Sequence, residues 1–286
     1  MFLKGSARIS PTALYTGEMW LRHGRSFPEL RVPAGALAYQ ALQPAMASSR
    51  WLGGPTLQDF LLARHDLIDA HVRSQVVDHG VHCVVELASG LSPRGMRFVR
   101  EMGANLCYIE ADLPGMAATK RQRLEDHLKL HPNHCVVDVD VFAPDGALSL
   151  LTLFELIPRG QKVCVVTEGL LNYFSREQVE TLARLLGEQL QSRPGSSYVS
   201  DIHLQATNQG PLAEGFRNLL GAFVQGRVHF HYRDEQDLVD AFRLLDLQAH
   251  LLRPSEQAGQ FESCRSKWAD LVHILVATPG GSDNPA

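Results

Sequence analysis

The chain carries no Cys-x-x-Cys pair, no run of basic residues and no apolar stretch long enough to cross a bilayer. Its longest apolar run, Ala147–Ile157, contains Glu155 and falls well short of the roughly 20 residues a spanning helix needs. The opening MFLKGSARIS lacks the apolar core of a signal peptide, so the sequence predicts a soluble, cytoplasmic protein with no membrane partner. Lys and Arg number 27 against 31 Asp and Glu, a net charge of −4, which argues against a nucleic-acid partner. The five cysteines are Cys83, Cys107, Cys135, Cys164 and Cys264. Four fall inside short β-branched runs, as small buried hydrophobes do in a reducing compartment. Of 13 histidines only His229 and His231 have tight ligand spacing, and no third ligand is placed beside them. No metal is expected.

What is present is enough for a large core: 286 residues, 45% of them apolar. That length suits two domains or one α/β domain with an extension. Residues 1–80 read as a helical extension. Within it Pro55-Thr56 opens a helix with Asp59 as a capping partner, and its inward stripe runs Leu57, Leu61, Arg64, Ile68, Val72. An arginine in that stripe either snorkels to solvent or meets an anion inside.

From residue 81 to 286 short apolar runs alternate with helical stretches. The runs are Val81–Leu87, Leu106–Glu110, Cys135–Val139, Val163–Glu168 and Tyr198–Ile202. The stretches are Pro93–Met102, Pro114–Leu130, Gly146–Ile157 and Ser175–Leu190, the last with Ser175 and Gln178 as a capping box. Such alternation predicts an α/β fold with parallel strands covered on both faces. Residues 203–232 break the rhythm and read as an insertion that walls a substrate site, with His229-Phe230-His231 as a strand. A helix near 234–245 and closing strands at 247–253 and 272–277 follow.

In a parallel sheet ligands bind beyond the carboxyl ends of the strands. Each of the five runs ends at or beside an acid: Glu86, Glu110, Asp138 with Asp140, Glu168 and Asp201. Together they predict a strongly negative mouth, suited to a ligand with hydroxyls and positive charge and hostile to phosphate. The loop after the first run fails as a dinucleotide GxGxxG, since Ala88 and Pro93 stand where its first and third glycines belong. Read as ExGxGxG it survives as Glu86, Ala88, Gly90, Ser92, small wherever backbone approaches a nucleoside. Glu110, ending the second run, is placed to accept ribose hydroxyls. These features favour S-adenosyl-L-methionine over NAD as cofactor.

The segments VVELASGLSPRG (84–95), YIEADLP (108–114), VDVD (137–140) and TEGLLNYF (167–174) resemble the leucine carboxyl methyltransferase family. With SPTALYTGEMW at 10–20, the wording is similar to its bacterial polyketide branch, typified by the tetracenomycin carboxyl methyltransferase. The resemblance covers residues 10 to 202. It implies a class I methyltransferase fold, a Rossmann-like, mostly parallel seven-stranded sheet, and methyl transfer from S-adenosylmethionine to a carboxylate on a small metabolite of secondary metabolism. It further implies roles by position. Arg64 holds the methionine carboxylate, and Ala88 and Gly90 form the motif loop. Asp112 competes with Glu110 for the ribose. Asp140 and Val141, or Asp138 by a shift of register, border the adenine, and Glu168 faces the methionine ammonium. By their place in the chain and not by the resemblance, Asn172 and Tyr173, just past Glu168, line the methyl-bearing side, unless Tyr173 packs under the loop, and Tyr15 and Trp20 form either a lid over the cofactor or part of the core.

A carboxylate acceptor is ionised at neutral pH and needs no base, whereas a phenol would need one, for which His203 is placed after the fifth run. Two other readings stand beside methyl transfer. One is a cyclase of the same fold, closing the amine of S-adenosylmethionine onto its side chain to give azetidine-2-carboxylate and methylthioadenosine. The other is a non-catalytic nucleoside binder. Oligomeric state is not legible.

Overall fold

The computed structural model describes residues 11–210 and 229–280. Most of the expected insertion, residues 211–228, lies outside them, as do the N-terminal decapeptide and the tail.

The described residues form a seven-stranded sheet between helices. Three helices come first: α1 (Pro11–Arg22), α2 (Pro33–Trp51) and α3 (Leu57–Val77). The alternation then runs β1 (Cys83–Leu87), α4 (Arg94–Met102), β2 (Cys107–Asp112), α5 (Pro114–Arg123), α6 (Glu125–Leu130) and β3 (His134–Asp138). It continues through α7 (Leu150–Glu155), β4 (Val163–Thr167), α8 (Arg176–Gln191) and β5 (Ser197–Ile202). It closes with α9 (Glu235–Arg243), β6 (Leu247–Leu252) and β7 (His273–Pro279). The sheet order is β3-β2-β1-β4-β5-β7-β6, parallel except for β7, which runs antiparallel to both neighbours. The order reverses between β1 and β4, and it is near such a switch point, beyond the strand ends, that sheets of this kind bind ligands.

Alternate residues of the strands feed two cores. Cys83, Val85 and Leu87 of β1 pack with Leu153 of α7, Leu182 of α8 and Leu238 of α9. Val84, between them, faces Ala63, Leu67 and Ile68 of α3 and Phe98 of α4. α3 is therefore a layer of the sheet sandwich. At about 25 cal/mol per Å² of apolar area, each fully buried aliphatic side chain in these cores contributes roughly 2 kcal/mol. Both expected capping boxes form, Thr56 with Asp59 and Ser175 with Gln178. Cys83, Cys107, Cys135 and Cys164 lie in β1 to β4, and all five cysteines are free.

Three sequence readings need correction. The second strand does not stop at Glu110 but pairs through Asp112, opposite Asp138 of β3. The stretch 114–130 is two helices broken at Leu124, whose side chain is buried against Leu30 and Met96. His229–His231 is not a strand. His229 instead exchanges backbone and side-chain hydrogen bonds with Asn172, and the Nε2 of His231 lies 3.1 Å from the carbonyl of Leu171. None of the described helices is long and apolar enough to cross a membrane.

Candidate active site

Beyond the ends of β4 and β5 lies a cleft of about 490 Å³, counting its open mouth. Thr12, Tyr15 and Thr16 of α1 form one wall, and Leu57, Phe60, Leu61 and Arg64 of α3 another. Gly169, Asn172 and Tyr173 after β4 and Asp201 and His203 at β5 complete it. Six of the sequence candidates, Arg64, Asn172, Tyr173, Tyr15, Asp201 and His203, thus meet in one place. Tyr15 is 1% exposed and stacks on Tyr39 of α2 at 5.4 Å. Tyr173 hydrogen-bonds Thr12 of α1, and burial raises its phenol. Trp20 lies outside the lining, buried against the ring of His65 at 4.6 Å.

Arg64 does not snorkel. Its Nε donates to Glu168 at 3.1 Å and its Nη1 to Asp201 at 2.9 Å, so the anions awaiting it are the protein's own. Burial opposes its charge, and Asp201 and Glu168 overcome that and raise its pKa. Glu168 also takes Nη2 of Arg94 at 2.5 Å and lies 2.9 Å from Nδ1 of His65. Burial would raise the Glu168 carboxyl, yet His65, Arg94 and Arg64 hold it far below the usual range. Burial pushes His65 itself down to about 4. Arg94, fully buried, binds Asp69 at 2.6 Å and Glu86 at 2.5 Å as well.

These pairings correct the expected negative mouth. Glu86 and Glu110 are register neighbours on one face of β1 and β2, a like-charge pair that is destabilising unless compensated. Glu86 is held by Arg94 and by the Tyr108 hydroxyl at 2.8 Å. Glu110 is 0% exposed, with Lys120 Nζ of α5 at 2.7 Å and His134 Nε2 at 3.6 Å. Burial raises its carboxyl, but Lys120 and His134 outweigh this and hold it at about 2. Gly95 of the SPRG segment lets α4 close over this cluster, because a Cβ there would meet Glu110 Oε1 and His134 Nε2 at 2.5 Å. Asp138 is paired with Arg121 at 2.7 Å. Helices α3, α4 and α5 bring the cations that neutralise the acids.

The ends of β1 and β2 are different. Ala88 and Gly90 both adopt positive φ, 51° and 50°, a turn glycine makes freely and alanine only with strain. Asp112 accepts the Gly90 amide at 2.7 Å and the Leu113 amide at 2.8 Å, and it makes no ion pair among the described residues. Burial raises its carboxyl. Ser89 Oγ, between Ala88 and Gly90, is buried without a hydrogen-bond partner among the described residues. Asp140 turns back to accept the Phe142 amide at 3.0 Å, and Val141 packs at the core's edge. α1 lies over this loop, with Ala13 Cβ 3.8 Å from where a Gly90 Cβ would sit.

The family's sequence model, leucine carboxyl methyltransferase, matches residues 26–187, more than half of the chain. The chain belongs to that family. No curated protein matches the sequence. Among solved structures it is similar to a candidate methyltransferase from Thermobifida fusca (14% identity, 93% of this chain and 94% of that one, TM-score 0.64). A DUF574-family protein from Streptomyces avermitilis is comparable (14%, 94% and 97%, TM-score 0.61). PigF, solved with S-adenosylhomocysteine, is more distant (16%, 93% and 67%, TM-score 0.50). At these identities the structures speak for the methyltransferase fold alone.

Family membership makes S-adenosylmethionine the cofactor. The residues fit it: an orphaned buried hydroxyl at Ser89, a turn whose backbone can approach a ligand, and an arginine lining the adjoining cleft. Sequence reasoning missed Ser89, His65 and Arg94. Arg94 stood in a quoted motif, but nothing local marks it as the buried partner of Glu86 and Glu168.

Proposed function

We propose that this protein methylates an oxygen of a small molecule bound in the cleft. Bound S-adenosylmethionine supplies a methyl group on a positively charged sulfur. Arg64 takes the methionine carboxylate, for which a guanidinium is the matched donor. Asp112 takes the ribose hydroxyls, since each of its oxygens receives one backbone amide and keeps acceptor capacity. Glu110 is excluded from that task by its burial against Lys120. The Ala88–Gly90 turn and Ser89 border the nucleoside, with Asp140 and Val141 toward the adenine. Glu168 acts through Arg64 and Arg94. Glu86 acts through Arg94 and so fixes the turn that follows β1. Tyr15, Asn172 and Tyr173 shape a dry wall for an in-line displacement.

The observation that carries this reading is a cleft of metabolite size around Arg64, walled by α1, the helix that also lies over the strand-end turn. The polyketide-type wording of the motifs supports a secondary-metabolite acceptor. The family's name favours a carboxylate, and such an anion needs a cation. Among the described residues Arg64 is the one cation lining the cleft, and it already faces two carboxylates. That count favours a hydroxyl oxygen.

Mass spectrometry of the nucleoside product tests the proposal. S-adenosylhomocysteine formed only when an acceptor is added is the expected outcome. Methylthioadenosine formed from the cofactor alone would make the protein the cyclase instead.

A further inference from the structure

The cofactor reading leaves His203, the one imidazole lining the cleft among the described residues, without a task. His203 follows the last residue of β5 and is 7% exposed. Its Nδ1 lies 2.5 Å from the carbonyl oxygen of Leu271. A carbonyl has no proton to give, so Nδ1 carries the hydrogen and Nε2 presents a lone pair. The same carbonyl is anchored by Asn208 Nδ2 at 3.1 Å. The ring is wedged edge-on between Phe60 at 5.4 Å and Phe230 at 5.8 Å. His203 is therefore a base with its tautomer and orientation fixed, at a site lined by Arg64, Asn172 and Tyr173.

We propose that His203 is the general base of the transfer, accepting through Nε2 the proton of a phenolic or enolic hydroxyl bound in the cleft. This rests on the O-methylation reading above and names its acceptor. The hydroxyl oxygen's electron pair forms the new O–C bond while the C–S electrons remain on sulfur, giving an ether and a neutral sulfide. The O–H proton passes to Nε2, and the positive charge lost from sulfur reappears on the imidazole before release to water. The charged and titratable groups facing His203 are Asp201 of β5, Arg64 of α3 and His273 of β7. Burial, joined by Arg64 and His273 and opposed by Asp201, pushes its pKa down to about 4. The ring is neutral at working pH, and Asp201 offers a countercharge once it is protonated. A carboxylate acceptor would meet this lone pair with repulsion. A hydroxyl donates to it.

Two measurements test the proposal. The first is ¹⁵N NMR of the histidines in the intact protein with S-adenosylhomocysteine, expected to show His203 neutral with its proton on Nδ1. The second is methyl transfer to a panel of phenols, enols and benzoates by the parent and His203→Gln, with melting temperature and S-adenosylhomocysteine affinity measured alongside. Turnover of hydroxyl compounds is expected, falling about 10²-fold or more in the variant. Affinity should be unchanged, and the lost rate should return as pH approaches the phenol's own pKa. A proton on Nε2, benzoates as acceptors, an unimpaired variant, or no hydroxyl turnover despite cofactor binding would each overturn it. Failure of S-adenosylhomocysteine to bind would bring down the O-methylation reading and this inference with it.

Discussion

At the ends of β4 and β5 each acid meets a guanidinium, whereas at the ends of β1 and β2 Asp112 meets only backbone amides. Glu168 and Asp201 share Arg64, and Glu168 also holds Arg94. Asp112 has the amides of Gly90 and Leu113, and beside it Ser89 has no partner among the described residues. A buried carboxylate with cations on both oxygens is saturated and fixes its neighbours in place. One that keeps acceptor capacity gains most from a ligand that brings donors. In the proposed reading the compensated half presents an oriented Arg64 and a cleft, and the under-satisfied half is the one that receives the nucleoside.

Breaking the compensated half should have the largest effect. Glu168→Gln removes the charge that faces Arg64, Arg94 and His65, and should cost about 3–5 kcal/mol of stability in urea unfolding. A cost below about 1 kcal/mol would mean that Asp201, Glu86 and Asp69 hold the two guanidiniums without it. The smallest effect is expected at the turn of the receptive half. Ala88→Gly relieves a positive φ but frees the unfolded chain, so unfolding stability should rise by at most about 1 kcal/mol. Affinity for S-adenosylhomocysteine should hold, because the backbone path is the same. A marked loss of affinity would show that the Ala88 methyl group touches the ligand.

The fold was legible wherever a local signal existed. The capping pairs Thr56–Asp59 and Ser175–Gln178 start their helices as read, and the β-branched runs become β1 to β5 within two residues. The end of β2 was misread because the acids Glu110 and Asp112 flank Ala111 and interrupt the apolar run, while strand pairing with β3 is a backbone matter. The candidate site was legible as a set of residues and not as a set of partnerships. Arg64 stood out in its apolar stripe, but Glu168 and Asp201 lie 104 and 137 residues further along the chain. No spacing rule connects them. For the same reason the acids looked like one negative mouth: Arg94, Lys120 and Arg121, which neutralise three of them, sit on helices whose packing only the tertiary structure shows.

The contrast between Glu110 and Asp112, two residues apart on one strand, is tested most directly by calorimetric titration of S-adenosylhomocysteine into Asp112→Asn and Glu110→Gln. The account predicts a loss of about 1–3 kcal/mol of binding free energy for Asp112→Asn with its melting temperature nearly unchanged. For Glu110→Gln it predicts a lowered melting temperature and parental affinity. Parental affinity in Asp112→Asn, or the larger binding loss in Glu110→Gln, would contradict it.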